Sequence, residues 1–281
     1  MTREYVLTLS CPDRVGVVHA VSGFLAERQG NILDSQQFRD PGSGRFFMRV
    51  HFRADTPLDR LRVEFAEPAA RAAMDWQLHD MAVKPRVMVL ASRQGHCLND
   101  LLYRFRTGAL HGDLVTVASN HADWAGLTEA GGVPFRHLPV TPETRPQQEQ
   151  RLLELVTEHR IDVVVLARYM QILSEGFCAK LPGQIINIHH SFLPSFKGAK
   201  PYHQAYDRGV KLIGATAHYV TADLDEGPII EQETARVDHA MTPERLAAAG
   251  RDLESVVLAR GLAWHLDHRV LLNGDRTVVF R

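Results

Sequence analysis

The sequence lacks the features that mark several large classes of protein. Its 281 residues include only three cysteines, Cys11, Cys97 and Cys178, and these show no CxxC spacing. Scattered cysteines in odd number indicate reduced thiols rather than a disulfide framework. The formal net charge of −1 predicts no partner among nucleic acids or membrane surfaces. No apolar run is long enough to span a bilayer, and the segment MTREYVLTLS is too polar for a signal peptide. We therefore expect a cytoplasmic protein.

What is present is an ordinary globular composition, with 45% hydrophobic and 23% charged residues. The length suits two domains or one large α/β domain. The first 83 residues alternate strand and helix patterns in the order strand-helix-strand-strand-helix-strand, which is the ferredoxin-like α+β plan. The predicted helices cover residues 15–29 and 58–74, and the segment PGSG joins the two central strands.

The pattern of apolar residues changes after a boundary at residues 82–86. The runs VMVLAS, LVTVAS, DVVVLA and QIINI are short, apolar and rich in β-branched residues, and helical segments separate them. Such runs predict a mostly parallel, Rossmann-like sheet that is buried on both faces. Helices are expected to start at the Thr-Pro-Glu segments 141–143 and 242–244, and Asn273-Gly274 predicts a terminal hairpin. We expect one domain over residues 1–83 and a second over residues 86–281.

The segment IINIHHSFLPSF, residues 185–196, contains two adjacent histidines. If it ends a strand, Asn187 and His189 lie on one face, and His190 points away from His189. A metal site would need distant ligands, and Ser191 lacks the sharp turn that exposes a nucleophilic serine. A loop histidine bonded to backbone is one interpretation. The other is an amide donor and an imidazole that together stabilise an oxyanion, with an orienting acid from the segment ADLDEGPII.

The segment from NIHHSFLPSF to ADLDEGPII resembles the folate-dependent formyltransferases, which have an Asn-x-His at a strand end and a later Leu-Asp-x-Gly-Pro loop. The resemblance covers residues 86–281 and implies that Asn187, His189 and Asp225 are catalytic. LARYMQILS resembles the segment that lines the pterin pocket of that family. The implied folate-binding residues are Met170, Gln171, Ile172, Leu173, Ala222, Asp223 and Leu224.

The segment CPDRVGVV resembles the start of an ACT domain. ACT domains bind small amino acids or dimerise, and we hold the two possibilities equal here. The resemblance implies a homodimer or homotetramer, with glycine or methionine as possible effector. A turn leading into a helix leaves backbone amides that suit a carboxylate. The candidate effector residues are Asp13, Val15, Gly16, Asn31 and Ile32.

The two modules in this order resemble the family of 10-formyltetrahydrofolate deformylases. The resemblance implies hydrolysis of 10-formyltetrahydrofolate to tetrahydrofolate and formate, which balances the one-carbon folate pool for purine synthesis, with no metal and no tightly bound cofactor. Where glycinamide ribonucleotide transformylases have a glycine-rich phosphate loop, this chain has ASRQGHCLND, with one glycine before His96 and Cys97. A ribonucleotide acceptor fits this segment poorly, which leaves water as the nucleophile.

Two alternatives remain open at the level of sequence. One is a formyltransferase with another amine acceptor, and the other is an amino-acid sensor with an inactive formyltransferase-like domain. For His218, packing in the core and a role in catalysis are equally expected. Cys97 is not expected to be a nucleophile, because no base next to it in the sequence would activate the thiol. Lys197 and Lys200 are solvated residues or contacts for a polyglutamate tail.

Overall fold

The computed structural model describes residues 3–194 and 201–281. The chain forms two compact units, one of Met1–Lys84 with Asp267–Arg281 and one of Pro85–Leu266. The first boundary lies within the predicted range of residues 82–86. The sequence predicts that the second domain extends to residue 281. In the structure, residues 267–281 pack with the N-terminal unit instead.

The N-terminal unit has the predicted order of elements. These are β1 (Arg3–Pro12), α1 (Val17–Glu27), β2 (Asn31–Asp40), β3 (Arg45–Ala54), α2 (Leu58–Arg71) and β4 (Asp75–Asp80). The strands form an antiparallel sheet in the order β2-β3-β1-β4. Apolar residues at helical spacing in α1 and α2, such as Val21, Leu25, Leu61 and Phe65, are buried against one face of this sheet. This unit is therefore ferredoxin-like, as predicted.

A terminal hairpin completes the N-terminal unit. Its strands β12 (Val270–Asn273) and β13 (Arg276–Val279) are joined through Gly274, whose φ is 61°. Val278 and Phe280 pack with the fully buried Phe47 of β3. The amide of Asn273 also donates to Asp40 Oδ2 at 2.7 Å. These contacts explain why the end of the chain belongs to this unit and not to the second.

The second unit contains the remaining elements. They are β5 (Arg86–Ala91), α3 (His96–Thr107), β6 (Asp113–Ser119), α4 (Ala125–Ala130), β7 (Phe135–His137), α5 (Arg145–Glu158), β8 (Val163–Ala167), α6 (Glu175–Cys178), β9 (Ile185–His189), α7 (Pro201–Asp207), β10 (Leu212–Tyr219), β11 (Ile229–Arg236) and α8 (Pro243–Leu266). The four apolar runs singled out in the sequence are β5, β6, β8 and β9.

The sheet of this unit has the strand order β11-β10-β9-β8-β5-β6-β7. Strands β5 to β9 pair in parallel, and β10 is antiparallel to both β9 and β11. From β5 the chain first adds β6 and β7 on one side of the sheet, and it then reverses direction and adds β8 to β11 on the other side of β5. In such sheets ligands bind beyond the carboxyl ends of the strands near the reversal. The ends of β8 and β9 lie in this region.

The two predicted helix starts have different outcomes. Helix α8 begins at Pro243 as predicted, with the amide of Leu246 donating to Thr242 O. Helix α5 begins later than predicted, at Arg145. The residues before it form a separate turn, in which the hydroxyl of Thr141 donates to the Glu143 side chain and the amide of Thr144 donates to Thr141 O. None of the helices in the described ranges has the length and apolar character to cross a membrane.

Candidate active site

One pocket of the second unit contains all the predicted catalytic and folate-binding residues. Its volume is about 250 Å³. The walls come from the end of β8, from β9, from the end of β10 and from the loop that follows β10. The lining residues are Leu166, Arg168, Tyr169, Met170, Gln171, Ile172, Leu173, Asn187, Ile188, His189, His190, His218, Val220, Thr221, Ala222, Asp223, Leu224 and Asp225.

His189 and Asp225 form the polar centre of the pocket. His189 Nδ1 lies 3.1 Å from Asp225 Oδ1, and the imidazole is 4% exposed. Burial of Asp225 opposes its ionisation. The hydrogen bond from His189 and the positive charge of the imidazole outweigh burial, so the pKa of Asp225 is lowered. Within the described part of the chain, His189 Nε2 is buried without a hydrogen-bond partner. The imidazole thus has one nitrogen held by a carboxylate and one available to a bound molecule.

The side chain of Asn187 is oriented by His218. The two residues face each other across β9 and β10, and Asn187 Nδ2 lies 3.2 Å from His218 Nε2. His218 Nδ1 donates to Tyr219 O at 2.9 Å, and burial lowers the pKa of His218. Its neutral ring therefore accepts from the amide, which leaves the second amide hydrogen of Asn187 for a ligand. His218 supports the site, a role that its strand position alone did not reveal.

The backbone of the loop after β10 is constrained at two places. Asp225 has φ 59°, in the left-handed region that aspartate tolerates better than most residues. A side chain at Gly227 would collide with the carbonyl oxygen of Tyr219. The backbone amide of Tyr219 also donates to Pro228 O, which holds the loop against β10. The Asp-x-Gly-Pro sequence therefore brings the carboxylate of Asp225 to His189.

The predicted pterin segment forms an apolar rim of the pocket. Met170, Ile172 and Leu224 are more than half exposed, although they are large apolar side chains. Helix α5 anchors this segment, because Glu149 accepts hydrogen bonds from the amide of Ser174, at 2.8 Å, and from its hydroxyl. Exposed apolar side chains around a cavity are typical of a site for a flat organic ligand.

His190 does not point away from His189, and this prediction is wrong. The two rings stack with centroids 4.6 Å apart and planes 18° apart. Strand β9 ends at His189, so the alternation of faces stops before His190. Its Nδ1 accepts from Arg168 Nη1 at 2.7 Å. Arg168 directly follows the buried strand β8, and a charged residue at that position was the signal that sequence reasoning missed.

The segment that replaces a glycine-rich phosphate loop is closely packed. The indole of Trp124 fills the space where a side chain on Gly95 would lie. His96 Nε2 lies 2.7 Å from Glu254 Oε2, and Glu254 is 1% exposed. Burial and the charge of Glu254 raise the pKa of Cys97, which opposes formation of the thiolate that a nucleophilic role requires.

Potential metal ligands also occur in this region. Atoms of His96, Cys97 and Glu254 lie within 4.8 Å of one another. The Arg168 guanidinium, however, is 3.3 Å from the same Glu254 oxygen. A fixed positive charge at this distance opposes the binding of a divalent cation.

The candidate effector residues lie in the N-terminal unit. Asp13, Val15 and Gly16 precede α1, and Asn31 and Ile32 begin β2. Val15 is fully exposed and Gly16 has φ 94°, but the carboxylate of Asp13 is paired with Arg39 at 2.5 Å. Lys197 and Lys200 lie outside the described residues.

Comparison with known proteins agrees with both modules. The family model for the formyl transferase domain matches residues 85–262, and the model for the ACT domain matches residues 5–62. A formyltetrahydrofolate deformylase of Corynebacterium sp. (strain P-1) is 52% identical over 281 residues, which are 99% of this chain and 98% of that protein. The chain belongs to the formyltetrahydrofolate deformylase family.

Solved structures show the same relationship. The deformylase of Burkholderia mallei is 52% identical, covers 99% of this chain and 100% of its own, and superimposes with a TM-score of 0.96. A glycinamide ribonucleotide transformylase from Symbiobacterium toebii is 31% identical, with a TM-score of 0.67, over 73% of this chain and 98% of its own. The predicted family, enzyme class and two-part fold are confirmed.

Proposed function

We propose that the chain hydrolyses 10-formyltetrahydrofolate to tetrahydrofolate and formate, and that Asn187, His189 and Asp225 carry out the reaction. The observation that carries this proposal is the His189 imidazole, which is held by Asp225 at 3.1 Å and has a buried Nε2 without a partner in the described ranges. The apolar rim beside it suits the pterin ring. The folate-binding residues are those seven side chains, Met170 to Leu173 and Ala222 to Leu224, that line the same pocket.

The roles follow from the hydrogen-bonding capacity of each group. Water attacks the formyl carbon, and the carbonyl oxygen becomes an oxyanion that accepts from Asn187 and from protonated His189. Asp225 orients the imidazole and relays a proton of the attacking water, through water, to N10. The oxyanion then re-forms a carbonyl group, the carbon–nitrogen bond breaks with its electron pair going to the protonated N10, and the formyl group leaves as formate.

The test of this assignment is Asn187→Ala. Loss of one oxyanion donor typically costs about 2.7–4 kcal/mol, so kcat should fall on the order of a hundredfold or more. Asn99→Ala, at an exposed position of α3, is the matched control and should leave kcat unchanged. A wild-type kcat in a correctly folded Asn187→Ala variant would show that the assignment is wrong.

We also propose how the enzyme is used in the cell. The three free cysteines are all buried, in agreement with a reducing cytoplasm. There the reaction supplies formate and balances the folate pool for purine synthesis, without a metal or a tightly bound cofactor. The ACT domain binds glycine or methionine near Gly16 and Asn31, and pairs with another copy in a homodimer or homotetramer. Equilibrium binding of both amino acids, followed by sedimentation, tests these points.

A further inference from the structure

Arg168 is held in an unusual conformation next to the active site. Its φ of 61° lies in the left-handed region, which residues with a side chain seldom adopt. The guanidinium is 10% exposed and makes three polar contacts. Nε lies 3.3 Å from Glu254 Oε2 and 3.0 Å from Gln94 Oε1, and Nη1 lies 2.7 Å from His190 Nδ1. These contacts fix the position of the guanidinium.

Glu254 of α8 anchors the charge of Arg168. It accepts from Tyr202 Oη and from His96 Nε2, each at 2.7 Å. Burial opposes ionisation of Glu254, but the hydrogen bond from His96, the charge of Arg168 and the bond from Tyr202 outweigh it and lower its pKa. The carboxylate is therefore charged, and it keeps the arginine charged and in place.

The contact with Arg168 determines which nitrogen of His190 carries the proton. A guanidinium has donors only, so His190 Nδ1 must be the acceptor and cannot hold a proton. The ring proton is then on Nε2, and the ring is neutral. Among the described residues, the charged groups that face His190 include Arg168 from the end of β8, His189 of β9 and Asp225 from the loop after β10.

We propose that Arg168 is a positioning residue that keeps His190 neutral, so that the positive charge of the histidine pair lies on His189 alone. A second imidazolium stacked 4.6 Å from His189 would repel that charge. The inference rests on the proposed catalytic role of His189. It gives the two adjacent histidines different roles, with the proton-carrying role assigned to His189.

The direct test is nitrogen NMR of the His190 imidazole together with the pH profile of kcat. In the wild type, His190 should remain neutral with its proton on Nε2 between pH 5 and 8. In Arg168→Gln, His190 should take up a proton as the pH falls through this range, and kcat should be about tenfold lower at pH 5.5 than at pH 7.5. The lysine of Arg168→Lys is also charged and can only donate hydrogen bonds, so this variant should retain the wild-type pH profile of kcat.

The double variant R168Q/H190N separates charge from structure. Asparagine cannot be protonated, so the additional loss of kcat at low pH should disappear. A His190 that becomes charged in the wild type between pH 5 and 8, or an Arg168→Gln variant that loses kcat equally at every pH, would overturn the proposal. Failure of the catalytic assignment would be recognised separately, as a His189→Asn variant that keeps wild-type kcat.

Discussion

His189 and Asp225 lie on different elements, 36 residues apart in sequence, and share one contact of 3.1 Å. Because the pKa of Asp225 is lowered, its carboxylate is ionised at every pH above the ordinary carboxyl value of about 3.9. We therefore expect no loss of kcat from this group as the pH falls from 7 to 5. The loss should begin only as the pH falls through the lowered pKa, and a pH series of kcat measures it.

Asp225→Asn removes the charge and keeps the shape of the side chain. Loss of the carboxylate that orients the imidazole should lower kcat about a hundredfold at neutral pH. Asp252→Asn, at an exposed position of α8, is the control and should behave like the wild type. If Asp225→Asn has wild-type kcat at pH 7, the carboxylate does not act on His189 as described.

At the scale of elements, the sequence predicted what depends on local pattern. Runs of β-branched residues identified β5, β6, β8 and β9, because a strand buried on both faces needs apolar residues throughout. The spacing also placed Asn187 and His189 at a strand end. The stacking of His190 and the ion pair of Arg168 with Glu254 were not predictable, because they depend on where β9 stops and on residues 86 positions apart.

Helix α5 provides a prediction for the proposed folate-binding segment, residues 170–173. Glu149 accepts two hydrogen bonds from Ser174, and Arg145 donates to Ile172 O. Glu149→Ala should loosen the apolar rim and raise KM for the folate about tenfold, since bonds to a charged group contribute roughly 1.5–3 kcal/mol. Effects on kcat should be smaller, because the proposed catalytic residues lie on other elements.

The control for this experiment is Glu154→Ala on the same helix. Glu154 pairs with Arg151 at 2.9 Å, and both side chains are nearly half exposed. Its removal should leave KM unchanged. An unchanged KM in Glu149→Ala as well would mean that the segment needs no support from α5 to bind folate.

At the scale of the whole molecule, the end of the chain belongs to the unit formed by its beginning. Phe280 is 7% exposed and packs with Phe47 and Val278. Phe280→Ala should destabilise the N-terminal unit by about 3 kcal/mol, through lost burial and a cavity. Hydrogen exchange of β3 amides measures this loss. Leu272→Ala, on the same hairpin and 49% exposed, should have little effect, and equal protection of β3 in both variants would contradict the packing described.

The reaction itself is tested most directly with the full chain and no amine acceptor. Purified protein is incubated with 10-formyltetrahydrofolate, with and without a chelator, and formate and tetrahydrofolate are both quantified. We predict that the two products appear in equal amounts and that the chelator does not slow their release. Absence of formate release from folded protein would contradict hydrolysis, and release that the chelator abolishes would contradict a metal-free site built on Asn187, His189 and Asp225.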